Sequence, residues 1–294
     1  MILILILYAL FAAFYVVGKE LLACSPPLFL SAARTLGGGI LLTALHGMMH
    51  TKPLVVNRRS ITLLALYTVS TNVISFALAY WALQYLSTTK VIFYYTFAPF
   101  ITAFLSYFLF NEKMNRMQWL GSCVALLGII PVMIMYSGTD GAGMTPPPYY
   151  LADIGQAVSV VLYAYGWIVV KQLIEEFDYP AIGTNGISLL ASGVILLIGS
   201  VLVDGIWPVC NASHFLLWLA ILIGLSTTCY VLYFVLLKRY SPTLVSFGGF
   251  LEPLFGAFYN WILFGEHLTW YFWLSFAGIT CGLYLFHYHE LKNH

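Results

Sequence analysis

The chain has 294 residues, 61% hydrophobic and 8% charged, with a mean hydropathy of +0.90 and a formal net charge of +1. A soluble domain is about one-quarter charged, so this chain cannot coat a water-facing surface of its size, and a bilayer is the solvent that accepts it. The near-neutral charge, with no basic run, zinc-finger spacing or RNA-binding motif, excludes nucleic acid as a ligand.

The first apolar run, Ile2 to Val17, lacks the basic segment of a signal peptide and reads as a retained first helix. A helix needs about 20 mainly apolar residues to cross the hydrocarbon core. On that rule the chain reads as an all-α integral membrane protein with ten spans, at 2–18, 26–46, 61–84, 87–110, 117–136, 151–170, 180–203, 215–237, 242–264 and 270–286. Turn-forming punctuation separates them: Lys52-Pro53 with Arg58-Arg59, the tract from Gly141 to Pro148, Asp204-Gly205, and Gly265-Glu266-His267. With the N-terminus inside, nine Lys and Arg residues fall in inside loops and the tail, and only Lys19 falls outside. The positive-inside rule then places both termini in the cytoplasm.

Of the cysteines, Cys123, Cys229 and Cys281 fall in apolar runs and are expected in the core, while Cys24 and Cys210 share the outer side, paired or free. The spacings of Cys and His offer no metal site, and no cofactor, phosphate-loop or catalytic motif appears. Asn211-Ala212-Ser213 is a sequon on the outer side, relevant only in a eukaryotic secretory pathway.

The two halves are self-similar at an offset of 154 residues without a gap. Ser87 meets Ser241, Thr89 meets Thr243, Pro99 meets Pro253, Glu112 meets Glu266, Trp119 meets Trp273 and Gly128 meets Gly282. Apolar bias does not place Pro, Glu, Trp and Gly in one register. Five spans per half is an odd number, so the halves enter the membrane in opposite senses. Residues 1–136 form one five-helix unit, 137–150 an outer loop and 151–294 the second unit. Inverted repeats of this kind are a common transporter architecture.

Charges inside a membrane are functional candidates by default. Glu252 lies near the middle of the ninth span beside Pro253, with Gly248-Gly249 one turn earlier; Pro99 is its counterpart in the first half. These residues form a weak, hinge-like helix segment. Glu252 either binds a proton or cationic group there or serves as a structural hinge residue. Arg34, in the second span, needs an acceptor, and Glu252 is the acid placed at similar depth; it either neutralises that acid or contacts the solute. Lys90 either snorkels to the outer interface or binds. Asn72 either bonds a neighbouring helix or the solute. Tyr94, Tyr95, Tyr163 and Tyr233 lie at cavity depth, where rings and hydroxyls could hold a cation or a flat ring, or pack in the core. Asp153 opens the sixth span as an N-terminal charge.

A proline midway along the fourth span, a Glu past its end and a glycine-bearing fifth span resemble an EamA-type half of the drug/metabolite transporter superfamily. The stretch YVLYFVLLKRYSPTLVSFGGFLEPLFGAFYNWILFGEHLT, Tyr230 to Thr269, is similar to that family's most recognisable segment. The resemblance implies a central cavity lined by the first four helices of each half, with the fifth and tenth to the side. It also implies secondary transport of a small organic metabolite, an amino acid or related solute, with export the favoured direction and a proton or counter-solute as partner. The chain departs from the family at Tyr94-Tyr95, opposite Gly248-Gly249, and at Lys90. An intramembrane lipid enzyme would need clustered acids or histidines at one depth, and a receptor or scaffold would need a sizeable soluble segment.

Overall fold

A computed structural model describes residues 2–49, 54, 56–136, 149–203, 212–264 and 270–292. Most of the punctuating residues, Cys210 with its pairing, Asn211 of the sequon and most of the 137–150 loop lie outside the described residues. In chain order the helices are α1 (Ile2–Leu22), α2 (Pro27–Met48), α3 (Arg58–Tyr67), a π-helical segment (Thr68–Ser75), α4 (Phe76–Tyr85), α5 (Thr88–Tyr95), α6 (Ala98–Phe110), α7 (Arg116–Tyr136) and α8 (Tyr149–Phe177). They continue with α9 (Ala181–Val203), α10 (Ala212–Arg239), α11 (Pro242–Phe247), a 3-10 turn (Gly248–Leu251), α12 (Glu252–Phe264) and α13 (Trp270–Lys292). Among the described residues, seven helical runs are long and apolar enough to cross a bilayer, with Trp270–Phe286 a shorter apolar helix. Large apolar side chains such as Phe104, Phe108, Leu127, Leu202 and Trp273 stand exposed on the outside of the bundle. In water such a surface would aggregate; against lipid tails it is the expected coat.

The run from Arg58 to Tyr85 crosses without a stop but changes pitch at Thr68–Ser75. That segment reads TVSTNVIS, and its hydroxyls compete for backbone carbonyls: Thr68 donates to Leu64 O at 2.7 Å. Two other expected spans, 87–110 and 242–264, are interrupted in their helical geometry; Lys90–Phe110 still counts as one of the seven crossing runs. The first ends α5 at Tyr95 and restarts at Ala98 with Pro99 in the first turn. The second ends α11 at Phe247, passes through the 3-10 turn and restarts at Glu252 with Pro253 next. Proline has no N–H to give, so both helices open at equivalent places; in the second, Gly248-Gly249 also weaken the preceding turn, where the first has Tyr94-Tyr95. Their starts also match: Ser87 caps α5 by accepting from Lys90 N at 3.2 Å, and Ser241 caps α11 by accepting from Leu244 N at 3.3 Å.

The packing is laid out in corresponding pairs. Helix α2 lies along α9, and α7 lies along α13. Helix α1 packs on α10 and α12, while α8 packs on the Arg58–Tyr85 run and on α6. The α7–α13 contact runs through small residues: a Cβ on Gly128 would meet the backbone of Gly278, and a Cβ on Gly282 would meet that of Ala125 and Gly121. Backbones this close gain dispersion along their length, which is how helices associate where no water drives them together. Cys229 is buried as expected, but Cys123 and Cys281 are exposed on α7 and α13. Apolar surroundings in sequence do not distinguish the core from lipid, so their core placement is corrected.

Gly282→Ala should push α7 from α13 and cost about 1–3 kcal/mol. Gly199→Ala, whose Cβ meets open space, should not. Thermal unfolding of the purified protein in nanodiscs compares the two.

Candidate functional site

Glu252 opens α12 midway between Pro242 and Phe264, and it is 4% exposed. A carboxylate in a first helical turn meets the positive end of the helix dipole. Its Oε2 has no hydrogen-bond partner among the described residues. Beside it is a small cavity lined by Tyr8, Tyr95, Ala98, Thr102, Tyr163, Ala164, Tyr233, Ser246 and Gly249 as well as Glu252. These residues come from α1, α5, α6, α8, α10, α11, the 3-10 turn and α12; none comes from α7 or α13, and α2, the Arg58–Tyr85 run and α9, also expected to line it, contribute none. The cavity volume is about 10 Å³, room for about one water. The two helix breaks therefore meet in a closed, aromatic interior.

The rings around the cavity hold one another by edge-to-face and stacked contacts. Tyr95 and Tyr163 lie 5.2 Å apart at 83°. Tyr233 stacks on Trp167 at 4.0 Å and 18°. The Tyr95 hydroxyl bonds Ser159 Oγ at 3.2 Å, and the Tyr8 hydroxyl donates to Val245 O at 2.7 Å. Tyr8 lies so close to Gly248 that a Cβ there would strike its ring. The glycine thus does two things: it loosens the turn before Glu252 and admits the α1 tyrosine.

Arg34, in α2, is fully buried. It does not pair with Glu252; no carboxylate forms an ion pair with it among the described residues. Its Nη1 donates to the Tyr230 hydroxyl at 3.0 Å. The guanidinium carbon lies 4.6 Å from the Phe76 ring centroid and 5.3 Å from that of Phe14, with Tyr80 and Tyr230 also within 6 Å. Ring faces carry negative charge density and replace the expected carboxylate. The expected pair fails because similar depth along two helices does not bring their side chains to the same side of the bundle.

Asn72 sits in the π-helical segment, fully buried, and donates to Ser188 Oγ on α9 at 2.8 Å. Beside it, Tyr67 donates to Asn185 Oδ1 at 2.8 Å. Lys90 and Tyr94 point elsewhere, both to Asp153 at the start of α8: Lys90 Nζ is 3.1 Å from Oδ1, and Tyr94 donates to Oδ1 at 2.9 Å. The structure therefore brings Glu252, Tyr95, Tyr163, Tyr233 and Gly249 together and leaves Lys90, Tyr94, Asn72 and Arg34 outside that cavity. Sequence reasoning missed Tyr8, Ser159, Ser246 and Tyr230, which sit in apolar or mixed runs with nothing local to mark them. Asp153 was noted only as a helix-start charge. A wider groove of about 560 Å³ between α6 and α7 is lined by the exposed Phe104, Phe108 and Trp119. It faces outward, where lipid lies.

Comparison with known proteins follows the same outline. The model of the EamA-like transporter family matches twice, over residues 1–134 and 151–288. A protein of Chlamydia muridarum named S-adenosylmethionine/S-adenosylhomocysteine transporter is 26% identical over 94% of this chain and 87% of its own. Its namesake in Chlamydia trachomatis serovar L2 is 27% identical over 94% of this chain and 85% of its own. The Escherichia coli K12 protein named uncharacterized inner membrane transporter YedA is 26% identical over 95% and 90%. One crystal structure superposes with a TM-score of 0.75 over 96% of this chain and 92% of that one, at 16% identity, a likeness of fold.

The Lys90–Asp153 pair is about one-third exposed on both sides. Asp153→Asn should therefore change stability by less than about 1 kcal/mol, as read by thermal unfolding in nanodiscs.

Proposed function

This chain belongs to the EamA-like transporter family, a membrane transporter rather than an enzyme, and on that footing we propose that it moves a small organic metabolite by alternating access as a secondary active transporter. The architecture proposed is ten spans in two inverted five-helix repeats, with both termini cytoplasmic. The membrane proposed is a bacterial inner membrane, the one named for YedA. The solute is an amino acid or a related metabolite, carried outward or exchanged. The S-adenosyl amino acids in the names of the chlamydial relatives are the first of that class to test.

The observation that carries this reading is Glu252: a buried acid with an unpartnered oxygen, at a helix break, in a cavity lined from both halves of the chain. A buried carboxylate without a partner is costly, and a bound cationic group or proton removes that cost. The double family match, the paired packing of α2 with α9 and α7 with α13, and the matched breaks at Pro99 and Pro253 support the repeat. The small cavity fits an occluded state. A metabolite larger than water enters when the aromatic contacts around Tyr163 part, and the broken helices are the elements able to bend.

Proteoliposomes loaded with S-adenosylhomocysteine should take up labelled S-adenosylmethionine by counterflow, with the label recovered chemically unchanged. Glu252→Gln should slow that flux at least about tenfold and flatten its dependence on pH. A variant with the wild-type rate and pH profile would remove Glu252 from solute or proton binding.

A further inference from the structure

Arg34 carries more N–H donors than its surroundings use. Nη1 is bonded to Tyr230, while Nε and Nη2 form no hydrogen bond among the described residues. Those two nitrogens make up one edge of the guanidinium, the side-on edge that takes the two oxygens of a carboxylate. The residue is fully buried and cannot lose its charge. Ring faces at 4.6 and 5.3 Å stabilise the charge of the group but supply no oxygen or nitrogen acceptor to that edge. Two further buried polar groups, one on the same helix and one on a ring facing the guanidinium, have no hydrogen-bond partner among the described residues. Ser31 Oγ lies one turn earlier on α2, and the Tyr80 hydroxyl, on a ring 5.9 Å from the guanidinium carbon, lies against Gly18. Native interiors rarely leave so many buried donors unused around a fixed charge.

A run of aromatic contacts joins this cluster to the Glu252 cavity. Phe76, which covers the guanidinium, meets Tyr163 edge-on at 6.3 Å, and Tyr163 lines the cavity. Tyr230, the hydroxyl partner of Arg34, packs on Trp167 at 6.1 Å, and Trp167 stacks on Tyr233 of the cavity wall. Two unpaired buried charges of opposite sign thus sit at either end of one seam of rings.

We infer that the side-on edge of Arg34 is a carboxylate subsite, and that the transported solute is dipolar, with its carboxylate on Arg34 and its cationic end toward Glu252. The substrate class is an amino-acid-type metabolite with a free carboxylate, its apolar or flat body lying between the rings of Phe76, Tyr163 and Tyr230. The inference rests on the transport reading above and narrows it. It accounts for the missing Arg34–Glu252 bridge: the solute completes the ion pairs, so a direct bridge would compete with it.

Two ligand pairs test this on the wild-type protein in nanodiscs by thermal shift: S-adenosylhomocysteine against its carboxamide, and L-methionine against L-methioninamide. In at least one pair the carboxylate should stabilise at concentrations at least about tenfold lower than the amide. Arg34→Lys, which keeps a charge but has no bidentate edge, should lose that preference, and so should Arg34→Met, which fills similar volume without charge. Equal behaviour of acid and amide in both pairs, which needs no variant to observe, overturns the subsite. So does full preference retained in Arg34→Lys or Arg34→Met. A preference for methionine over its amide, with no response to either S-adenosyl compound, keeps the subsite and removes the S-adenosyl amino acids from the transport reading.

Discussion

Hydrocarbon accepts no unpaired backbone amide, and every departure from regular helix must therefore be sheltered by protein. This constraint organises the molecule. Helix breaks occur between Tyr95 and Ala98 and at Gly248–Leu251, and the residues of the second break are buried. The pitch change at Thr68–Ser75 likewise packs against α8 and α9. Because breaks must go inside, the polar residues they carry go inside with them. Glu252 reaches the interior by that route, and so does Asn72.

Close helix packing on either side holds the breaks in place. Glycine contacts bring α7 onto α13, and α2 runs along α9, where a Cβ on Gly39 would meet the backbone of Leu190. Such interfaces stay rigid because the backbones themselves touch. Between them, the elements that bear the cavity are held by aromatic edges and single hydroxyl bonds, which exchange partners at lower cost. The ends are fastened by exposed or half-exposed ion pairs: Arg59–Glu176, Lys238–Asp178 and Lys90–Asp153. Exposed pairs are weak, so they add little to the hold of the buried interfaces.

The two buried charges are handled differently. Glu252 has the dipole of α12 and a tyrosine-lined cavity. Arg34 has ring faces and one phenol. Neither arrangement completes the hydrogen bonding of its group, and water-poor surroundings raise the value of whatever does.

Composition, the 154-residue register and the prolines determined the membrane class, the helical fold and the family resemblance, because each depends on residue type and spacing along the chain. The same information singled out Glu252, since a charge in an apolar run is visible without coordinates. It also named Tyr95, Tyr163 and Tyr233, which line one cavity with Glu252. It did not reveal which side of each helix faces in, because helices that are apolar all round carry no stripe to read. For that reason Tyr94 is read at cavity depth and Lys90 as either snorkelling or binding, whereas both reach Asp153; Cys123 and Cys281 are read as core, whereas they face outward; and Arg34 is matched to an acid it does not touch. Helix rotation and crossing decide these contacts, and both are set by where glycines let backbones meet, a property of two helices together and of neither alone.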